Sequence, residues 1–164
     1  MSVGDSALDY FSEKVIKKNI RKNAYEGSDG KFYDANFKSD KYEIYDQVTI
    51  VFKKNDQKYI IYSLAGIIFY GDNTESCIAD YNKITKDIEN LFQDHKKSVR
   101  KNKKHPADKS GKSLFNGTSF VHKSGSGADV GCYAWSNEMN EEDYVSVAID
   151  SPEFGKWLDA YYDN

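Results

Sequence analysis

Three histidines and several serines are the side chains of this 164-residue chain that suit acid–base or nucleophilic chemistry. His95, His105 and His122 are not spaced to share one helix face, as the two histidines of a zinc-binding HExxH motif would be. No GxSxG sequence marks a nucleophilic serine. We therefore assign no catalytic residue. A hydrolase that uses His105 or His122 with a nearby Ser or Asp stays open as an alternative function.

The segment SGKS at residues 110–113 resembles the end of a phosphate-binding loop. The full motif needs a glycine five residues before Gly111, and Pro106 occupies that position. Because only a glycine-rich loop lets backbone N–H groups surround a phosphate, we predict a polar turn here. The acidic residues around Asp29 and Asp34 also lack the spacing of a calcium loop. The sequence predicts no cofactor and no metal site.

The densest charge lies between Asp94 and Lys123, which hold nine Lys or Arg against two Asp. Its centre is a basic run without aromatic residues, made of Lys96, Lys97, Arg100, Lys101, Lys103 and Lys104. Proteins that bind nucleic acids usually add aromatic stacking or groove-reading elements to such charge. We predict that residues 94–113 form an exposed basic linker. Its six cations are the candidate binding residues, for an anionic protein or surface.

The end of the chain carries the opposite charge. Residues 129–164 hold nine Asp or Glu against one Lys, although the formal net charge of the whole chain is only −3. The acidic third of one copy could contact the basic linker of another, so we expect a monomer or a weak homo-oligomer. The loop at residues 123–129 (KSGSGAD) is a second exposed candidate for contact with a partner.

Cys77 and Cys132 are the two cysteines, and they lack the CxxC spacing of a zinc site. A disulfide and two buried free thiols both fit this pair. No run of about 18 apolar residues predicts a membrane span. Residues 1–7 lack the apolar centre of a signal peptide. A cytoplasmic protein and a mature exported protein therefore both stay open.

The elements that must position these residues are organised around an apolar run at residues 59–70. The run is rich in β-branched and aromatic residues and predicts a central strand, in which Gly66 marks a bulge or a close backbone approach. A turn then leads to a helix whose N-cap is Asn73 or Thr74. Steps of three and four predict one apolar stripe on this helix, formed by Ile78, Tyr81, Ile84, Ile88, Leu91 and Phe92.

Patterns on either side predict the remaining elements. They are a helix over residues 6–20, strands over 42–53, 114–121, 130–135 and 144–149, and a closing helix that Ser151 caps and Pro152 begins. A short edge strand over residues 31–37 stands outside this order. The order α-β-β-α-β-β-β-α predicts one α+β domain over residues 1–164, with a largely antiparallel sheet and helices packed on it.

Four segments together resemble a group of uncharacterised small exported proteins of marine bacteria. They are ALDYFS at residues 7–12, YIIY at 59–62, HPADKSGKS at 105–113 and CYAWS at 132–136. The resemblance defines no known chemistry. It implies a periplasmic or secreted protein, in which Cys77 and Cys132 form a disulfide. Such a bridge closes a loop of about 55 residues and stabilises the fold by roughly 4 kcal/mol.

The absence of a catalytic motif favours a non-enzymatic binding or interaction domain, exported and stabilised by a disulfide. Two alternative functions belong to other classes of protein. One is the small hydrolase with a His and a Ser or Asp. The other is an intracellular or phage-encoded protein whose charged surface binds a partner that handles nucleic acids.

Overall fold

The computed structural model describes residues 1–21, 25, 29–38, 43–92 and 94–162. Within these residues the chain forms one eight-stranded antiparallel sheet with helices packed on it, which confirms the prediction of a single α+β domain. The helices are α1 (Glu13–Asn19), α2 (Thr74–Leu91) and α3 (Pro152–Tyr162). The strands are β1 (Ile20–Arg21), β2 (Phe32–Lys38), β3 (Gln47–Lys53), β4 (Ser63–Gly71), β5 (Lys96–Lys104), β6 (Leu114–Val121), β7 (Gly127–Ala134) and β8 (Asp143–Asp150).

The strand order across the sheet is β1-β2-β3-β4-β8-β7-β6-β5. The first four strands follow one another in chain order, and the last four follow one another from the opposite edge. The predicted hairpin is present as β3 and β4, in which Ile50 lies opposite Leu64. The two halves meet where β4 pairs with β8, in the middle of the sheet. As a result β1 and β5 are the edge strands.

The long helix α2 covers β7 and β8, as its amphipathic pattern predicts. Asn73 caps it, because its side-chain oxygen accepts the N–H of Ser76 at 3.0 Å. The predicted apolar stripe is partly wrong: Ile78 is 37% exposed and Leu91 is 78% exposed. Tyr81, Ile84 and Ile88 of the predicted stripe do pack on the sheet. Cys77 joins them on the buried face, against three residues of the sheet, Val130, Cys132 and Val145.

The predicted helix over residues 6–20 is two separate helical segments. Ala7–Asp9 form a 3₁₀-helix, capped by the hydroxyl of Ser6, and α1 begins only at Glu13. Ala7 also donates its N–H to the carbonyl of Tyr59 at 2.9 Å. Since Tyr59 has a φ of +48°, the predicted central strand cannot start there, and it starts at Ser63. The N-terminal segment therefore covers the start of the apolar run.

The apolar run is confirmed as a central strand, but its bulge is not at Gly66. The bulge of β4 lies between Phe69 and Gly71. Gly66 is a point of close approach instead, since a Cβ atom there would lie 2.5 Å from Cδ1 of Tyr45. The predicted strand over residues 42–53 is β3, which begins at Gln47; residues 39–42 lie outside the described part of the chain.

The closing helix is confirmed with its cap. The hydroxyl of Ser151 accepts the N–H of Phe154 at 3.2 Å. Phe154 is buried against Phe32 and Val51, on the side of the sheet opposite the one that α2 covers. No helix in the described residues combines the length and the apolar character that crossing a bilayer requires.

The predicted linker over residues 94–113 needs correction, because residues 96–104 are the edge strand β5. Its main chain pairs with β6 from Lys96 opposite Val121 to Lys104 opposite Leu114. A bulge interrupts the pairing after Arg100, and the N–H of Asn102 bonds there to the side chain of Asn116 at 3.0 Å. An exposed edge strand needs no apolar face, so hydrophobic periodicity does not reveal it.

Candidate functional site

The four strands of the second half present two different faces. Residues directly opposite each other in an antiparallel pair share a face, and alternate residues of one strand point to opposite faces. One face, which we call the helix face, includes Thr118, Val130 and Val145 and packs under α2. The other, which we call the aromatic face, is formed by Phe115, Gly117 and Ser119 of β6, Asp129, Gly131 and Tyr133 of β7, and Tyr144, Ser146, Ala148 and Asp150 of β8.

The six predicted binding cations all lie on β5, and strand register divides them between the faces. Lys96, Arg100 and Lys103 lie opposite Val121, Gly117 and Phe115, so they border the aromatic face. Lys97 and Lys104 lie on the helix-face side, opposite Phe120 and Leu114. Lys101 stands in the bulge. The fold therefore brings the six predicted residues together along one edge of the sheet.

Four of these cations have no ion pair with the described part of the chain. Lys97 bonds to Glu89 of α2 at 2.8 Å, and Arg100 lies 3.6 Å from Asp159 of α3. The four that remain are exposed and are Lys96, Lys101, Lys103 and Lys104. Exposed, unpaired ammonium groups keep their full charge available to an external anion.

Two aromatic rings lie against glycines next to this strand. A Cβ atom on Gly117 would lie 2.8 Å from Cε2 of Phe115, and one on Gly131 would lie 2.9 Å from Cε2 of Tyr133. Each ring therefore leans along its own strand and occupies the space that a side chain would fill. The two ring centres are 5.7 Å apart, and the ring planes differ by only 15°. We call this pair the ring platform.

Further aromatic residues border the ring platform. The ring centre of Tyr144 lies 4.6 Å from that of Tyr133, and His105 lies 5.8 Å from the same ring. Trp135 packs on His105 at 4.5 Å. Burial lowers the pKa of His105, and the nearby charge of Asp108 only partly opposes this effect. His105 is therefore neutral at pH 7 and acts as one more flat ring of the cluster.

The loop of residues 105–113 holds His105 in place through Asp108. The buried carboxylate of Asp108 accepts the hydroxyl of Ser113 at 2.6 Å, that of Ser136 at 3.0 Å and the N–H groups of Ser110 and Ser113 at 2.9 and 2.8 Å. These hydrogen bonds, those of Ser113 first, hold the pKa of Asp108 well below its ordinary value. The loop is the predicted polar turn, and its own carboxylate takes up the N–H groups that a phosphate would need.

The histidines of the hydrolase alternative have polar neighbours of a different kind. Nδ1 of His105 accepts the N–H of Ala107 at 3.3 Å, and Nδ1 of His122 lies 2.8 Å from the hydroxyl of Ser124. The latter contact belongs to the turn between β6 and β7, which holds residues 123–126 of the predicted loop. Residues 127–129 of that prediction instead begin β7, and Ala128 is buried, so the exposed candidate is shorter than predicted. Within the described residues no histidine bonds to a carboxylate, and no three His, Cys, Asp or Glu side chains gather as metal ligands.

A pair of carboxyl groups, missed in the sequence, lies at the other end of the aromatic face. Asp150 is 4% exposed, and its Oδ1 has no hydrogen-bond partner within the described residues. Burial, and next the charge of Asp129, raise the pKa of Asp150 well above its ordinary value, while the hydroxyl of Ser63 opposes them. Asp129 also accepts a hydrogen bond from Ser119. Only strand register brings these two carboxyls together.

The ring platform was also missed, although the sequence carries a signal for it. Phe115 stands two residues before Gly117, and Gly131 stands two residues before Tyr133. Residues two apart on a strand share a face, so an aromatic residue in that position can cover the glycine. Reading each strand for such pairs would have marked both rings, but not their distance from the basic strand.

Comparison with models of protein families, with curated proteins and with solved structures finds no match for this chain. The resemblance to small exported proteins of marine bacteria therefore stays a prediction. The disulfide that it implies is present: Cys77 of α2 and Cys132 of β7 are bonded, with their Cα atoms 5.8 Å apart.

Proposed function

We propose that this protein is a non-enzymatic binding domain that binds an anionic partner along β5. The observation that carries the proposal is the set of four exposed cations without an ion pair on one edge strand: Lys96, Lys101, Lys103 and Lys104. Anionic ligands release counterions when such side chains neutralise them, and this release drives association.

A protective role is the simplest other account of these lysines. Charged side chains on an edge strand prevent it from pairing with another chain. One or two lysines suffice for that purpose, whereas β5 holds six cations within nine residues. The excess favours recognition of a ligand that carries several negative charges in a row.

Salt dependence supplies the first test. If a flexible polyanion contacts the four free cations, the logarithm of its affinity should fall with the logarithm of salt concentration with a slope of about −3. Inorganic polyphosphate is a suitable probe, because it offers charge alone. A slope near zero, or no binding at low salt, would overturn the proposal.

Charge reversal supplies the second test, with a matched control. Lys101→Glu with Lys103→Glu should weaken polyphosphate binding by at least about 10-fold, since it removes two contacts and adds two repulsions. Lys83→Glu with Lys86→Glu changes the net charge equally on the exposed side of α2. The control should lose far less affinity. Equal losses in both variants would show that net charge, rather than β5, attracts the ligand.

We also propose that the protein is exported to the periplasm or secreted. The bond between Cys77 and Cys132 supports this, because disulfides persist in oxidising compartments. The test is alkylation of the protein as isolated from its own cells, unfolded with and without reductant and then weighed intact. Two thiols that react only after reduction fit the proposal. Thiols that react without reductant would favour an intracellular protein.

A further inference from the structure

We propose that the anionic partner is single-stranded nucleic acid, whose bases stack on the ring platform while its phosphates contact β5. This inference rests on the proposed function, since it names the ligand class for the same strand. It depends on a juxtaposition that the basic run alone does not contain, because that run has no aromatic residue.

Strand register places cations next to the rings. Lys103 lies directly opposite Phe115, and Arg100 lies directly opposite the glycine that Phe115 covers. Side chains in such cross-strand positions have Cβ atoms about 5 Å apart and point to the same side of the sheet. A base that lies on the ring of Phe115 therefore holds its own phosphate within reach of a lysine and an arginine side chain.

The shape of the platform suits a stacked base. The rings of Phe115 and Tyr133 stack with their planes 15° apart, so a base can extend this stack on the face of Phe115 that Tyr133 does not cover. The half-buried Phe115 keeps part of its surface in solvent. Every base has a flat π-face, so stacking of this kind is tolerant of sequence. The basic strand beside it runs for nine residues, or about 30 Å, and carries Lys96, Arg100 and Lys103 on the platform side, where they can contact the phosphates of an extended strand.

The same geometry favours a single strand over a duplex. Bases inside a duplex are stacked on one another and present only their edges, so they cannot cover an aromatic ring. The buried carboxyl pair also limits the path of the ligand. Asp129 accepts a hydrogen bond from Ser119, which lies opposite Ser98 of β5, so the carboxyl pair is away from the Phe115 end. We therefore place the bases at Phe115 and the phosphates on the free lysines of β5.

The experiment compares ligands that share phosphates but differ in bases. Binding of a labelled oligothymidylate is measured by fluorescence anisotropy, beside an abasic oligonucleotide of equal length and beside inorganic polyphosphate. The oligothymidylate should bind at least about 10-fold more tightly than the abasic strand, because each stacked base adds affinity. This comparison needs no variant, so it does not depend on whether a substitution folds.

Removal of the ring then tests whether the base-dependent affinity arises at Phe115. Phe115→Leu should weaken oligothymidylate binding about 10-fold and leave polyphosphate binding unchanged. Phe11→Leu is the matched control, since Phe11 is a half-buried ring that stacks on Phe37 of β2, in the half of the sheet away from β5, and its loss should change neither affinity. Thermal unfolding of both variants checks that they fold.

The outcomes separate this inference from the proposed function. Equal binding of oligothymidylate, abasic strand and polyphosphate, all weakened by charge reversal on β5, would overturn the base-stacking inference and leave the proposed function in place. Failure of all three to bind would overturn both. Tighter binding of a sulfated polysaccharide than of oligothymidylate, lost in Phe115→Leu, would replace the nucleic acid by an anionic sugar chain.

Discussion

The helix face and the aromatic face are built by alternate residues of the same strands, and they differ in almost every property. On the helix face, Thr118, Val130, Cys132 and Val145 are at most 2% exposed. On the aromatic face, the neighbouring positions are glycine, serine, alanine and two aspartates, beneath rings that are only half-buried. Because a strand alternates its side chains, one element can hold the fold together on one side and carry a half-buried aromatic and polar surface on the other.

The helix face also holds the contacts that tie α2 to the sheet. Cys77 is bonded to Cys132, and the hydroxyls of Tyr81 and Thr118 are 2.7 Å apart in a buried hydrogen bond. By contrast the aromatic face carries charges, including a buried carboxyl with a raised pKa. The comparison predicts that substitutions on the helix face cost stability, whereas those on the aromatic face change stability little or even raise it.

The largest effect should come from the disulfide. Replacing both Cys77 and Cys132 with Ala should lower the free energy of unfolding by roughly 4 kcal/mol, because the bridge closes a 55-residue separation. For a chain of this size the midpoint of thermal unfolding should fall by roughly 10 °C. Reductant should produce a similar fall in the native protein and none in the variant. If reductant leaves the native protein unchanged, the helix face does not depend on the bridge.

A direct comparison of the two faces uses adjacent residues of β8. Val145→Ala empties space in the core under α2 and should cost about 2 kcal/mol in urea unfolding. Ser146→Ala lies on the aromatic face one residue later and should stay within about 0.5 kcal/mol of the native protein. An equal loss of unfolding free energy at the two positions would contradict the prediction that the helix face contributes more to stability than the aromatic face.

The carboxyl pair predicts a gain in stability. The folded pKa of Asp150 is raised, so between its unfolded pKa of about 3.9 and the raised value the folded state binds more protons than the unfolded state. Stability therefore falls as pH rises through that window and stays reduced above it. Asp150→Asn removes this loss and should raise stability at pH 7 by about 1 kcal/mol.

The control for this gain is Asp87→Asn on the exposed side of α2, which should change stability little at any pH. Unfolding is measured from pH 3 to pH 8 for both variants. A decline with pH that persists in Asp150→Asn would assign it to another group.

The smallest effect should come from the ring platform. Gly131→Ala forces the ring of Tyr133 to move and should cost about 0.5 kcal/mol, since the ring is only half-buried. Gly155→Ala in α3 meets no atom within 4 Å and should stabilise by a similar amount through helix propensity. Tyrosine fluorescence should change in the first variant alone. An unchanged spectrum in both would show that the ring does not rest on Gly131.

Elements with a hydrophobic pattern were predictable from the sequence. The central strand, α2 with its cap at Asn73, and α3 with its cap at Ser151 all follow from apolar spacing and cap chemistry. The fold class follows from their order. The orientation of α2 about its own axis was harder to predict from the sequence. Cys77 faces the sheet, where it forms the disulfide, and the neighbouring Ile78 is therefore 37% exposed.

The candidate site was predictable in its charges but not in its geometry. Five of the six cations of the basic run are exposed, as the sequence predicts, and Arg100 is half-buried. That they form a strand, and that Lys103 lies opposite Phe115, depends on hydrogen bonds between segments that carry no shared pattern. The pairing of Asp129 with Asp150 depends on register in the same way. Long-range pairing is set by the whole sheet, so local spacing does not encode it.

The position of β4 beside β8 also sets the order in which the chain can complete its fold. Ile68 lies opposite Val145, so the apolar central strand receives its second neighbour only after nearly 80 more residues. At ribosomal rates of about 5–20 residues per second, one edge of β4 stays unpaired for roughly 4–15 s. An unpaired apolar edge is a site for wrong pairing between chains. The time between the synthesis of β4 and that of β8 is therefore the period in which this chain is most exposed to wrong pairing.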